Sequence, residues 1–226
     1  MSLSIVVPML NEAAGIADAL RALRDLDAEI VAVDGGSSDK TVACAAPHAD
    51  LLLSAARGRA RQMNAGAAAA QGDILLFLHA DTRLPPAADQ IIKQSIASGA
   101  LWGRFDVEIS GNSAWFPLIA ALMNLRSRLT GIATGDQAIF VKRSAFEQIG
   151  GFPDLPLMED IVLSQRLKKL AHPACLRQKV VTAGRRWEKH GILRTILTMW
   201  SLRLRFFFGA DPKQLAIEYG YAPNAQ

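Results

Sequence analysis

Four short apolar runs, Leu3–Pro8, Glu29–Asp34, Leu51–Leu53 and Ile74–Leu78, punctuate the first hundred residues. Helical patterns separate them. Ile16, Leu20 and Leu23 recur at helical spacing within Ala13–Leu26, Asp39 can cap a short helix through Ala46, and Gly58–Ala70 is alanine-rich. Strand and helix alternating at this pace predict βαβ units and a mostly parallel sheet. The runs do not alternate polar with apolar residues, which fits strands covered on both faces.

After Ala100 the rhythm changes. Trp102–Ile109 alternates and predicts a strand with one more exposed face. Ala114–Leu129 reads as an apolar helix, Gln137–Val141 as a strand, and Ser144 as the cap of a short helix broken by Gly150-Gly151. Glu159–Leu170 is helical, Val180–Ala183 is a candidate last strand, and Ile192–Phe208 is a long apolar helix interrupted by Arg194, Arg203 and Arg205. No repeat or linker divides the 226 residues, so one domain is expected. The change of rhythm marks off 1–100, 101–190 and a C-terminal helical appendage at 191–226 within it.

Half the residues are apolar and a fifth are charged, which excludes a disordered or disulfide-scaffold chain. Cys44 and Cys175 lack partners at metal spacing and read as core thiols of a reducing compartment. The start MSLSIVVPMLNE has no basic n-region, so no secretory leader is expected, and no run offers 18 uncharged apolar residues. Residues 162–226 carry 12 Lys/Arg against 3 Asp/Glu, a net of +9, while residues 1–161 carry 13 against 18, a net of −5. The basic third suits an anionic substrate, anionic lipid or nucleic acid.

Ligands of an open α/β sheet bind at the carboxyl ends of its strands. Polar loops fall there: Pro8-Met-Leu-Asn11-Glu12, Asp34-Gly35-Gly36-Ser37-Ser38-Asp39, and His79-Ala80-Asp81. None matches a dinucleotide or P-loop fingerprint. One such loop alone is a turn and a helix cap; three on one edge point to a shared site. A carboxylate such as Asp81, at the end of a buried strand, suits Mg²⁺ or Mn²⁺ bridging phosphates, with a helix cap as the plainer reading. Arg57, Arg59 and Arg61 crowd a helix start, where cations oppose the dipole, so a nearby phosphate would account for them. Glu159 and Asp160 open a helix. One can act as a general base while the other anchors the loop, or both are ordinary helix-start acids. Arg186 suits bidentate pairing with phosphate, Trp187 offers a stacking face, and His190 is a metal ligand or a surface histidine.

Together these motifs resemble the family 2 glycosyltransferases, inverting enzymes of the GT-A fold, over nearly the whole chain from Ser4 to Tyr219. Val6–Glu12 is similar to the family's opening strand and donor loop, and Val33–Thr41 to its base-holding loop. Arg61–Gly66, Gly72-Asp73 and the strand to Asp81 resemble the segment ending in the metal-binding D-x-D, and Met158-Glu159-Asp160 resembles the acidic pair whose Asp is the base. The spelling Gly135–Phe140 with Arg185-Arg186-Trp187 is similar to a bacterial subgroup associated with radical-SAM proteins and linked to arsenosugar synthesis. The resemblance implies a nucleotide-diphospho-sugar transferase fold, Rossmann-like, with a mixed, mostly parallel sheet flanked by helices, in which 1–100 is the nucleotide-binding half, 101–190 the acceptor and catalytic half, and 191–226 a C-terminal helical segment.

It also implies a site. Pro8, Asn11, Glu12, Asp34, Gly36 and Ser37 would hold base and ribose, and Arg59, Asn64, His79, Ala80, Arg186 and Trp187 the rest of a nucleotide-sugar donor, a UDP-sugar by family habit. Asp81 would bind Mn²⁺ or Mg²⁺, with His190 in reserve, and Asp160 beside Glu159 would take the acceptor's proton. His79 stands where the first Asp of D-x-D belongs. Ala183 replaces the Gln of the processive Q-x-x-R-W, which favours a single sugar transfer.

The acceptor would be a small molecule or lipid-linked. In a cytoplasmic protein, residues 192–208 would pack one face on the sheet or against a second copy, or lay the Trp200 and Phe206–Phe208 side on the inner face of a membrane. Nucleic acid is disfavoured because no aromatic-plus-basic sheet motif is present. Two rival readings are a nucleotidyltransferase, which would carry a glycine-rich basic loop after the first strand, and a non-enzymatic module that binds membrane or nucleic acid through the basic third.

Overall fold

The structure, a computed structural model, describes residues 1–221, with only the backbone described at Arg186 and His190. The apolar runs form β1 (Leu3–Met9), β2 (Glu29–Asp34), β3 (Leu51–Ser54) and β4 (Ile74–Phe77). They join one eight-stranded sheet with β5 (Thr82–Arg83), β6 (Trp102–Ser110), β7 (Ile139–Lys142) and β8 (Ala174–Ala183). The order is β3-β2-β1-β4-β7-β6-β8-β5. Strands β3, β2, β1 and β4 run parallel, as do β6 and β8, while β7 is antiparallel to both of its neighbours. The sheet is therefore mixed.

The helices are α1 (Ile16–Arg21), α2 (Thr41–Ala45), α3 (Arg59–Ala69), α4 (Ala88–Ala97), α5 (Phe116–Thr130), α6 (Arg143–Gln148), α7 (Glu159–Lys168), α8 (Arg185–His190), α9 (Ile192–Phe207) and α10 (Pro212–Tyr219). Two apolar clusters cover opposite faces of the sheet. Ile5, Val7, Leu76 and Phe140 face α1 and α4, and Val6, Val31, Leu75 and Val141 face α3 and α7. Sheet residues on both faces are buried, which explains the unbroken apolar runs.

Several expectations change. Helix α1 is six residues long, not the span Ala13–Leu26. Its start is a turn on the Glu12 carbonyl, and beyond Arg21 the chain tightens into three-residue bonds such as Leu23 N–H to Leu20 C=O, which keep Leu23 buried without a full helix. Strand β6 alternates as expected only in its second half, where Val107 and Ile109 are buried and Glu108 and Ser110 exposed; Trp102–Phe105 are buried throughout, and there the Arg104 guanidinium bonds Ser127, Asn124 and Asp106. Ser144 caps nothing. Strand β7 runs on through Lys142, Arg143 N–H donates to Asp73 C=O at 2.9 Å, and Ser144 falls inside α6. Strand β8 begins at Ala174, well before Val180, and β5, α4, α8 and α10 are elements the apolar pattern did not announce.

Candidate functional site

The carboxyl ends of β1 and β2 lie side by side, with Met9 opposite Asp34. Asp34 turns its carboxylate onto its own loop: Oδ2 accepts from the Gly36 and Ser37 N–H groups at 3.0 Å each, and Oδ1 from the Ser37 hydroxyl. Gly36 sits at φ +90°, a conformation that favours glycine. Asn11, itself at φ 54°, donates its N–H to Ser37 Oγ at 2.9 Å and accepts from Ser38 N–H at 2.9 Å. The first two polar loops are thus sewn together. Gln62 of α3, which sequence reasoning did not select, adds two buried bonds from Nε2 to the Met9 and Val33 carbonyls at 2.9 and 2.8 Å.

These loops border a cleft of about 2110 Å³. Its walls include Pro8, Glu12, Arg59, His79, Ala80, Asp81, Glu159, Asp160 and Trp187 among the residues expected from sequence. Asn11, Asp34, Gly36 and Ser37 build the loops behind that wall rather than the wall itself. Asn64 is engaged elsewhere: its amide donates to the Phe152 carbonyl at 2.9 Å and accepts from the Phe152 N–H at 3.0 Å. Arg186 and His190 have side chains outside the described residues.

Asp160 lies at the start of α7. Its Oδ2 accepts from Gly135 N–H at 2.9 Å and its Oδ1 from Ile161 N–H at 2.7 Å. Burial, then the neighbouring Glu159 carboxylate, pushes its pKa up to about 6 against those bonds and Arg59. Gly135 belongs to a 3-10 turn, Gly135–Gln137, and lies against the His79 ring; a Cβ there would fall 2.4 Å from His79 Nε2. In the same turn Asp136 stands 3.4 Å from His79 Nδ1. Burial works against its charge, yet His79, Arg59 and Arg126 hold its carboxyl below the usual range. Asp136 is a cleft residue that sequence reasoning passed over, because only the fold brings this turn against His79.

Two of the three arginines at the start of α3, Arg59 and Arg61, already have protein partners. Arg61 pairs in two bonds with Asp154, Nε–Oδ1 at 2.8 Å and Nη2–Oδ2 at 2.9 Å. Arg59 lies 3.6 Å from buried Glu159, donates to the Tyr221 hydroxyl, and stacks over that ring at 5.7 Å. Burial opposes its charge, but Tyr221 and the carboxylates of Glu159, Asp136 and Asp160 raise its pKa. Phosphate is therefore not needed to account for all of these cations, although Arg59 faces the cleft.

Among the described residues no group of three or more His, Cys, Asp or Glu is arranged to hold a metal ion. Asp81 is an exposed carboxylate on the cleft wall. Burial raises the pKa of Glu12; Arg185 opposes that shift, while Asp81 and Asp39 add to it. An oxygen donor of this kind suits a hard cation that completes its shell with water and phosphate oxygens.

The fold is shared with solved nucleotide-sugar transferases. The chain is 19% identical to TarS residues 1–349 of S. aureus, in complex with UDP, with a TM-score of 0.65, covering 81% of this chain and 60% of that one. The mannosyltransferase PcManGT of Pyrobaculum calidifontis, with GDP-Man and Mn²⁺, is 24% identical with a TM-score of 0.57, covering 79% and 56%. Glucosyl-3-phosphoglycerate synthase of Mycobacterium tuberculosis, with Mg²⁺ and UDP, is 21% identical with a TM-score of 0.57, covering 80% and 70%. At these identities the likeness establishes the GT-A fold. No curated protein matches the chain in sequence. The model of Glycosyl transferase family 2 matches residues 4–150, well over half of the chain, which therefore belongs to that family of glycosyltransferases.

Proposed function

We propose that the protein moves one sugar from a nucleotide-sugar donor, a UDP-sugar in the first instance, to an acceptor hydroxyl, with inversion at the anomeric carbon. The observation that carries this reading is Asp160, a carboxylate of raised pKa held by two backbone N–H groups in the same cleft as Asp81. Such a group is poised to accept a proton near neutral pH. The acceptor oxygen loses its proton to Asp160 and attacks the anomeric carbon. The bond to the donor diphosphate breaks, and the nucleoside diphosphate leaves with the electron pair. One displacement suffices, so no glycosyl-enzyme is formed.

The chain's other residues position these partners. Gly135 fixes Asp160 through its N–H and leaves room for the His79 ring. Glu159 holds Arg59 at the cleft wall, where its guanidinium would meet the donor's base or diphosphate. Asp81 would hold Mn²⁺ or Mg²⁺ on the diphosphate, a Lewis acid that makes the nucleotide a better leaving group; the Mn²⁺ and Mg²⁺ complexes of the structural neighbours support this. The loops of Asn11, Asp34, Gly36 and Ser37 would seat the base behind Pro8 and Glu12. The narrower likeness to radical-SAM-associated transferases rests on the spelling at Gly135–Phe140 and Arg185–Trp187, and a cytoplasmic location goes with it. Proton NMR of the first product formed tests the reaction. An anomeric configuration opposite to the donor's is expected, and a retained configuration would overturn the single-displacement mechanism.

A further inference from the structure

Two helices of the cleft present apolar stripes to solvent. On α5, Leu118, Leu122, Leu125 and Leu129 follow one another at helical spacing and are 51–77% exposed. On α9, Leu193, Leu197, Trp200, Leu204 and Phe207 do the same at 60–78%. The opposite side of α9 is the packed one, with Thr195 and Leu202 buried. Leu122, Leu125 and Leu129 line the same cleft as Leu197, Trp200, Leu204 and Phe207, so the stripes bound one trough continuous with Asp160. No described helix is long and apolar enough to cross a membrane.

Beside Asp160 this trough carries positive charge. Arg126 of α5 and Arg203 of α9 wall a pocket of about 420 Å³ with Ile161 and Phe206. Nε and Nη2 of Arg126 are buried and make no hydrogen bond. Burial lowers its pKa, with the charge of Asp160 opposing. A half-buried guanidinium short of hydrogen bonds is costly, and with Arg203 on the same pocket wall an anion such as phosphate is the group that suits this pair. The arrangement in order is apolar trough, unsatisfied cation, catalytic carboxylate.

We propose that the acceptor is an amphiphile, a lipid whose phosphate headgroup also bears a free hydroxyl; this rests on the transferase reading above. Its chains lie along the α5 and α9 stripes, its phosphate meets Arg126 and Arg203, and its hydroxyl reaches Asp160. In the transfer, the headgroup hydroxyl gives its proton to Asp160, its oxygen bonds to the anomeric carbon, and the nucleoside diphosphate departs with the electrons of the broken bond. The net +9 of residues 162–226 suits an anionic lipid surface as the source of this acceptor.

Titration calorimetry on the whole protein with monomeric dihexanoyl phosphatidylglycerol tests this. Saturable binding is expected, at least about tenfold tighter than glycerol 3-phosphate, because the chains add buried methylenes. Arg126→Gln is expected to weaken lipid binding by about tenfold or more. The exposed double variant Leu197→Gln/Leu204→Gln should weaken it likewise while the fold survives. Equal affinity for dihexanoyl phosphatidylcholine or for glycerol 3-phosphate would overturn the proposal. So would a protein that binds no lipid and runs as a dimer split by Leu197→Glu, since a second copy then covers the face. UDP and GDP titrations with Mn²⁺ separate the two readings. Nucleotide binding without lipid binding overturns only the amphiphilic acceptor, and loss of both overturns the transferase reading as well.

Discussion

Asp160 favours opposite responses to pH in stability and in activity. Burial and the Glu159 carboxylate raise its pKa in the folded protein from the ordinary aspartate range to about 6. Its contribution to stability is therefore full below pH 4 and fades as pH rises through about 6. A general base must be ionised, so kcat/KM should climb as pH passes about 6 and level off above it. Asp160→Asn keeps the shape and removes the basicity. It should lower kcat by ~10²–10⁴ with nucleotide binding retained, measured by turnover on the true acceptor beside nucleotide titration. Near wild-type turnover would remove Asp160 from the role of base. The sequence showed Asp160 as one of two helix-start acids, and the structure gives it two N–H donors. Asp136, by contrast, was invisible as a site residue because its relation to His79 exists only across the sheet, where β4 meets β7.

Helix α3 lies so close to the sheet that Gly66 has no room for a side chain. A Cβ there would meet Val6 Cγ1 at 2.4 Å and Val33 Cγ2 at 2.9 Å. Alanine normally favours a helix over glycine by ~1 kcal/mol, but overpacking a core costs ~1–3 kcal/mol. Gly66→Ala should thus lower the melting temperature and, because α3 carries Arg59 and Gln62, weaken nucleotide binding as well. An unchanged melting temperature would mean that α3 shifts freely. At this scale the sequence was most legible where both faces of a strand are buried, as in β1, β2 and β4, since nearly every residue is then apolar and the exceptions, Ser4, Glu29 and Asp34, have hydrogen-bond partners or end the strand. It was least legible where burial is partial. The first half of β8, Ala174–Lys179, holds Arg177, Gln178 and Lys179 exposed and shows no apolar run, so only Val180 onward stood out. Helix α8 is six residues of mostly charged sequence, and its pattern offered nothing to read.

Across the whole molecule, loops far apart in sequence converge on one cleft. Arg59 ties to Glu159 and to Tyr221, 162 positions away, so α3, α7 and the segment after α10 share one group of charges. The family motifs made this cleft legible in outline. The trough of α5 and α9 was only half visible, because the sequence marked both as apolar helices but could not place α5 beside α9 at the cleft. On the proposed reading a nucleoside diphosphate binds this cleft, and its binding must stabilise the fold by a predictable amount. At ligand concentrations about a hundredfold above Kd the gain is ~2.7 kcal/mol, roughly 5–10 °C for a domain of this size. Asp81 is exposed, so Asp81→Ala should fold normally. The decisive measurement is the melting temperature with UDP or GDP, with and without Mn²⁺, for wild type and Asp81→Ala. The account predicts a nucleotide-dependent rise in wild type that grows with Mn²⁺, and no growth with Mn²⁺ in Asp81→Ala. A wild-type melting temperature that no nucleotide shifts, in Mn²⁺ or in chelator, would contradict it.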